Sequence, residues 1–243
     1  MSISKIVIIT ILSLLPSFIW LLYYLRKDPH PEPKKIIIKL FLLGFLITPI
    51  AAIIEIYGQH FLGGLVKNII IIIIGGAFIE EFLKYLAARR IIARNKKEFD
   101  EPSDAMIYLI TIALGFAASE NIIILFSSYL NGESINQIII TVTLRFWGAT
   151  LLHTLSSGII GYYIAQKYFY NKKYQLTQGF IIATTLHAVF NYFIITTQNI
   201  KYTEYNLLFG NIELVKYLLL SLIIILLGAG LFIIHKEFKK LSF

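Results

Sequence analysis

The sequence predicts an all-α fold: a polytopic membrane helix bundle of about seven transmembrane helices, with the N-terminus outside and the C-terminus inside. Three observations predict it. Of the 243 residues, 57% are hydrophobic and only 15% charged, with mean hydropathy +0.74, whereas soluble domains carry about 25% charged residues. Seven apolar stretches, at about 5–25, 36–57, 65–88, 105–130, 137–166, 175–197 and 207–234, are each long enough to cross a hydrocarbon core of roughly 30 Å. The segments between them alternate in charge. Arg26, Lys27, Lys34 and Lys35 follow the first stretch; Arg89, Arg90, Arg94, Lys96 and Lys97 follow the third; Lys167, Lys172 and Lys173 follow the fifth; Lys236, Lys239 and Lys240 close the chain. The intervening loops, GQHFLGG, NGESINQ and TTQNIKYTEYN, carry almost no positive charge. Short basic loops stay in the cytoplasm, which sets the orientation and a multi-pass location in the cell membrane, of the bacterial plasma-membrane kind.

In chain order, the first stretch is an anchor rather than a cleaved signal peptide: the run after Lys5 is too long, lacks a small-residue cleavage site and ends in basic residues. The isoleucine run 69–74 would read as a buried strand in water, but here it is lipid-facing helix. The one extended polar segment, RRIIARNKKEFDEPSD (89–104), is a solvated connection. Pro102 suits the first turn of the fourth helix, and Ser103 or Asp104 can cap it. The whole chain, 1–243, reads as a single membrane domain without internal repeats. The net charge of +8 gathers at helix ends, which argues against a nucleic-acid partner and for the lipid bilayer. With no Cys there is no disulfide, thiolate metal site or Cys nucleophile.

Four of the apolar segments contain groups that a bilayer should exclude: FIEEFLKYL (Glu80, Glu81, Lys84), ALGFAASEN (Glu120, Asn121), LRFWGATLLH (Arg145, His153) and TLHAVFN (His187, Asn191). A charge near the bilayer centre costs between about 3 and more than 10 kcal/mol, so such groups face one another or water. Their depths agree. At 1.5 Å per residue, Glu80 lies roughly 13 Å from Arg89, His153 roughly 21 Å from Lys167, Glu120 about 21 Å from Met106 and His187 about 17 Å from Leu176. These values place the four groups in one layer around mid-membrane.

Adjacent Glu80 and Glu81 point about 100° apart on a helix. Lys84 reaches either of them, so one glutamate can be held ionised while the other is available as a general base. Gly115, Ala117, Ala118 and Ser119 are small enough for close helix packing beside Glu120. His187 and Asn191 share one face and can both donate to an oxyanion. His153, His187 and Glu120 also offer a zinc-type N/O donor set, although HExxH is absent. Arg145 can snorkel or pair with a carboxylate. Ser156 and Ser157 follow His153, but nothing around them resembles a serine-protease site.

These motifs resemble the PrsW family of intramembrane proteases. The match runs in order through EEFLK (80–84), EFDEPSDAMIY (98–108), ALGFAASEN (113–121), Arg145, His153 and HAVFN (187–191), roughly residues 76–195, with a protease core at about 65–197. The family is grouped with the CAAX-prenyl-protease and bacteriocin-processing superfamily, whose pattern is a double Glu, FxxxH and HxxxN. Ala149 stands where that pattern has Phe, and Lys84 replaces its arginine. The resemblance implies an intramembrane endopeptidase acting on a membrane-anchored protein, such as an anti-sigma factor, with bacteriocin maturation or immunity as other superfamily outlets. Glu80, Glu81, His153, His187 and Asn191 would be catalytic, with Lys84, Glu120, Asn121 and Arg145 supporting, and water would be activated by Glu and His or by Zn2+. A proton- or cation-coupled transporter is the rival reading of a buried Glu/His network. Geometry separates the two: a protease gathers Glu80, His153 and His187 around one point, whereas a transporter spaces them along a path.

Overall fold

Apolar residues on every side of a segment leave helix as the only lipid-compatible backbone, because each amide must be satisfied within the segment. The computed structural model describes residues 3–28, 30–62, 68–172, 175–199 and 212–241, and among these it contains helices and no strand. The helices are α1 (Ile3–Leu25), α2 (Lys34–Leu62), α3 (Ile69–Arg94), α4 (Pro102–Leu130), α5 (Ile135–Trp147), α6 (Ala149–Tyr168), α7 (Gln175–Asn199) and α8 (Ile212–Leu241). Six segments are long and apolar enough to cross a membrane, α5 and α6 counting as one. The long helix outside that set is α3, whose apolar stretch contains Glu80, Glu81 and Lys84. Lys173, the starts of the third and seventh predicted spans and most of the loop before α8 lie outside the described residues.

The predicted fifth span is broken. Gly148 (φ −102°, ψ −98°) separates α5 from α6, and the carbonyl of Phe146, freed at the break, accepts from Trp20 Nε1 at 3.1 Å. The start of α4 differs in register from expectation. Glu101 is the N-cap and Pro102 the first helical residue, while the Asp104 carboxylate accepts from the Asp100 and Glu101 amides at 3.1 and 2.7 Å.

The centre of the bundle is α4, buried on all sides from Ser103 to Ser119. It packs directly against α2, where a Cβ at Gly44 would lie 1.9 Å from the Ile112 carbonyl and one at Gly115 2.0 Å from that of Phe41. Only glycine permits this backbone approach. On its other flank α4 packs against α6, and α7 lies between α6 and α3. Large apolar side chains such as Leu42, Ile53, Ile71, Ile140 and Ile224 form the exposed outer surface.

The basic connections meet at one end of the bundle. His30 pairs with Glu101, Phe99 meets Tyr168 edge to face and packs at a tilt against Phe169, and Tyr24 touches Phe238. Two helical turns or more separate that end from Glu80, Glu120, His153 and His187.

Candidate active site

The site is built on α3, α4, α6 and α7. Residues 80, 81 and 84 occupy adjoining faces of one helix turn, so α3 turns two carboxylates and an ammonium inward together. Lys84, fully buried, is the hub. Its Nζ lies 2.8 Å from Glu81 Oε1, 2.9 Å from His153 Nδ1 and 3.5 Å from Glu80 Oε2, and it sits 4.3 Å from the centre of the Phe116 ring. Phe116 also packs against the His153 ring at 5.4 Å. The aromatic packing against His153 therefore comes from the GFAASEN helix, although Ala149 is small.

Tautomers follow from the partners. An ammonium only donates, so His153 accepts at Nδ1 and donates from Nε2–H to Glu120 Oε2 at 2.9 Å. Glu120 also accepts from Arg145 Nη2 at 3.0 Å. Arg145 Nε donates to Asn121 Oδ1, and Asn121 Nδ2 to Thr150 Oγ1 at 3.4 Å. Arg145 therefore pairs with a carboxylate inside the bundle, on the last turn of α5 before the Gly148 break.

The two adjacent glutamates differ sharply. Glu81 is saturated: Oε1 accepts from Lys84 and from His187 Nδ1–H at 3.0 Å, and Oε2 accepts from Ser157 Oγ at 2.8 Å. Ser157, one of the two hydroxyls after His153, is thus committed to holding Glu81, and Ser156 bonds its own helix at Leu152 O. Glu80 Oε2, in contrast, is buried and makes no hydrogen bond. It lies 3.8 Å from His153 Nδ1 and 3.8 Å from His187 Nε2. With its Nδ1–H engaged by Glu81, a neutral His187 imidazole presents its Nε2 lone pair towards Glu80. The two imidazoles meet edge to face at 5.0 Å.

Glu80, His153 and His187 have ligand atoms within 4.8 Å of one another. Tetrahedral zinc holds such donors roughly 3.4 Å apart, so the 3.8 Å spacings and a donor set of two imidazoles and one carboxylate fit a metal. The Lys84 ammonium faces two of the same donors, Glu80 Oε2 and His153 Nδ1, and a metal there would leave it to Glu81. Glu120, the carboxylate expected in this role, instead contacts His153 at its other nitrogen.

A cavity of about 400 Å³ opens onto this cluster, lined by Glu80, Glu120, Arg145, His153, His187 and Asn191 among others. Asn191 lies at its rim, half-buried. All nine residues singled out from the sequence belong to this network or its cavity wall. Ser157 belongs to it as well, and Glu55 on α2 lines a neighbouring cavity shared with Glu80 and Glu120.

A family model described as PrsW family intramembrane metalloprotease matches residues 32–227. The chain is 28% identical to the protease PrsW of Geobacillus kaustophilus over 183 residues, 74% of this chain and 76% of the relative. It is 29% identical to that of Oceanobacillus iheyensis over 184 residues, 73% and 78% of the two chains. With that of Bacillus subtilis it shares 26% over 189 residues, 76% and 81%. No solved structure matches the chain.

Proposed function

The chain belongs to the PrsW family of intramembrane metalloproteases, and from that premise we propose that it cleaves membrane-anchored proteins with water activated at Glu80. It is a multi-pass bacterial membrane protein and a protease. The observation that supports the chemistry is the contrast within the glutamate pair: Glu81 is saturated, whereas Glu80 Oε2 is without a hydrogen bond, 3.8 Å from His187 Nε2.

A water that donates one hydrogen to Glu80 and the other to His187 turns its own lone pair outward, towards a scissile carbonyl in the 400 Å³ cavity. Glu80 takes the proton as the C–O bond forms and returns it to the leaving amine. Asn191 donates its carboxamide N–H to the oxyanion, joined by His187 when Nε2 is protonated. Glu81 fixes His187 and Lys84. Glu120, itself held by Arg145 and with Asn121 behind it, fixes the His153 ring. Zinc, held by Glu80, His153 and His187, would polarise the carbonyl and acidify its bound water.

The substrate class is a single-span membrane protein cut in or near its transmembrane helix, an anti-sigma factor by family likeness. A transporter is disfavoured because the Glu and His groups surround one point rather than a path. The N-terminus lies outside: reporter fusions at Asn131 and Lys172 read outside and inside, and the same side for both contradicts this orientation. In cells co-expressing a single-span anti-sigma-factor reporter, alanine at Glu80, Glu81, His153 or His187 abolishes cleavage. If zinc is used, chelator stops cleavage and both histidine variants lose bound metal. Full cleavage by a Glu80→Ala, Glu81→Ala double variant overturns the assignment.

A further inference from the structure

Glu80 and Glu120 line two cavities, one on each side. Beyond the 400 Å³ cavity between α4, α5, α6 and α7 lies a second of about 160 Å³ between α2, α3 and α4. Its wall includes Thr48, Ala51, Ala52, Glu55 and Phe116. Glu80 and Glu120 thus form a partition between the two cavities.

Glu55 is the feature that gives the second cavity a chemical character. It is an acidic residue in the apolar body of α2, packed against the glycine face of α3, where a Cβ at Gly76 would lie 3.6 Å from its carboxyl carbon. Its Oε1 is buried and makes no hydrogen bond. No salt bridge reaches it among the described residues, unlike Glu81 and Glu120. The neighbouring Thr48 hydroxyl is taken by the carbonyls of Gly44 and Phe116, each at 3.2 Å. A buried carboxyl oxygen without a partner costs several kcal/mol in an apolar medium, so the partner that the protein does not supply is water. At roughly 30 Å³ per molecule the cavity has room for about five.

Hydrolysis consumes one water per bond: its oxygen joins the acyl carbon, the C–N bond breaks, and its hydrogens end on the new carboxyl and amine. In a bilayer that water needs a route. The larger cavity, walled in part by Leu144, Phe190 and Ile194, is closed to solvent once an apolar substrate segment fills it. We propose that the smaller cavity is the water chamber of the site, that Glu55 is the positioning residue that keeps it hydrated, and that water reaches Glu80 through the partition from the side opposite the substrate. This inference rests on the protease reading.

The absence of cysteine from the chain makes the test direct. In purified protein in nanodiscs, the Ala52→Cys variant reacts with an anionic methanethiosulfonate reagent at least tenfold faster than the Ile53→Cys variant, because thiolate forms only where water reaches and Ile53 faces lipid at 54% exposure. With a quenched-fluorescent transmembrane peptide that the wild type cleaves, Glu55→Leu lowers kcat tenfold or more at unchanged KM. Glu55→Gln, which still hydrogen-bonds water, recovers most of that loss, a pattern that a purely structural role would not produce. If the wild type cleaves while Ala52→Cys reacts no faster than Ile53→Cys, or while Glu55→Leu keeps the wild-type kcat, the chamber is overturned. The labelling comparison decides the matter even where Glu55→Leu fails to fold. A wild type that cleaves none of a panel of such peptides overturns the protease reading instead, and the inference with it.

Discussion

Two clusters of carboxyl groups lie at different levels of the bundle, and they are balanced by opposite means. In the mid-membrane cluster, Glu80, Glu81 and Glu120 are interleaved with Lys84, Arg145 and two histidines, so each carboxylate faces at least one cation or imidazole. At the basic end, Asp28, Glu32, Glu101 and Asp104 gather with only His30 beside them, and no Lys or Arg pairs with them among the described residues. There the carboxyls act as clips: Asp28 accepts from the His30 and Glu32 amides, Asp104 from those of Asp100 and Glu101, and Glu32 from the Tyr108 hydroxyl at 3.1 Å. Burial, reinforced by Asp104, pushes the Glu32 carboxyl up to about 8, and burial raises Asp28 as well. One cluster pairs its charges, with Glu80 Oε2 in reach of Lys84 at 3.5 Å but without a hydrogen bond. The other ties the α1–α2 connection to the start of α4 through Glu32 and Tyr108 and through His30 and Glu101.

If pairing sustains the inner cluster, breaking it at the hub should have the largest effect. Lys84→Met leaves Glu80 and Glu81 buried without their cation, a loss of about 3–5 kcal/mol for a buried pair stripped of one partner, and cleavage fails with it. Adding Glu81→Gln should recover part of the thermal stability and none of the cleavage, as read by melting and peptide assay. Recovered cleavage would mean that Lys84 serves only to neutralise charge.

Asn191→Ala tests the cavity rim rather than the hub. One oxyanion donor is worth about 10²- to 10³-fold, so a measurable remainder persists and the melting temperature stays near that of the wild type. Unchanged kcat would remove Asn191 from the site.

The smallest effect belongs to the outer cluster and concerns pH. A carboxyl raised from an ordinary value near 4.3 to about 8 contributes its full stability only below the ordinary value, and loses it as pH rises through 8. Melting temperature in detergent should therefore decline between pH 5 and 9, and Glu32→Gln, which cannot ionise, should flatten that decline without abolishing cleavage. An equally steep decline in the variant would assign the pH dependence to other groups.

The bundle was legible because apolar length and alternating basic loops are properties of whole segments. The site layer was legible because Glu, His, Lys and Arg have no other reason to sit at matched depths in lipid. Local and long-range geometry was not. The break at Gly148 falls inside what reads as one continuous span (137–166), and hydropathy does not register a backbone turn. Which of Glu80 and Glu81 is free depends on Ser157 and His187, 76 and 106 residues further along the chain, and a hydroxyl at a helix interface has no signature of its own. Glu55 sits near the end of the 36–57 stretch, where an acidic side chain reads as interfacial. Its significance emerges only when α2 is packed against α3 and α4.

In the proposed mechanism the two neighbouring glutamates divide the labour, Glu81 holding the site together and Glu80 acting on water. Cleavage and melting of Glu80→Gln, measured side by side with the wild type in one preparation, test it most directly. Glu80 Oε2 makes no hydrogen bond, and Lys84 keeps its shorter contact to Glu81 when the 3.5 Å one to Glu80 is lost, so the melting temperature should stay within a few degrees of the wild type while cleavage falls by about 10²- to 10⁴-fold, the range of general-base catalysis. A folded Glu80→Gln protein that cleaves at the wild-type rate would contradict it.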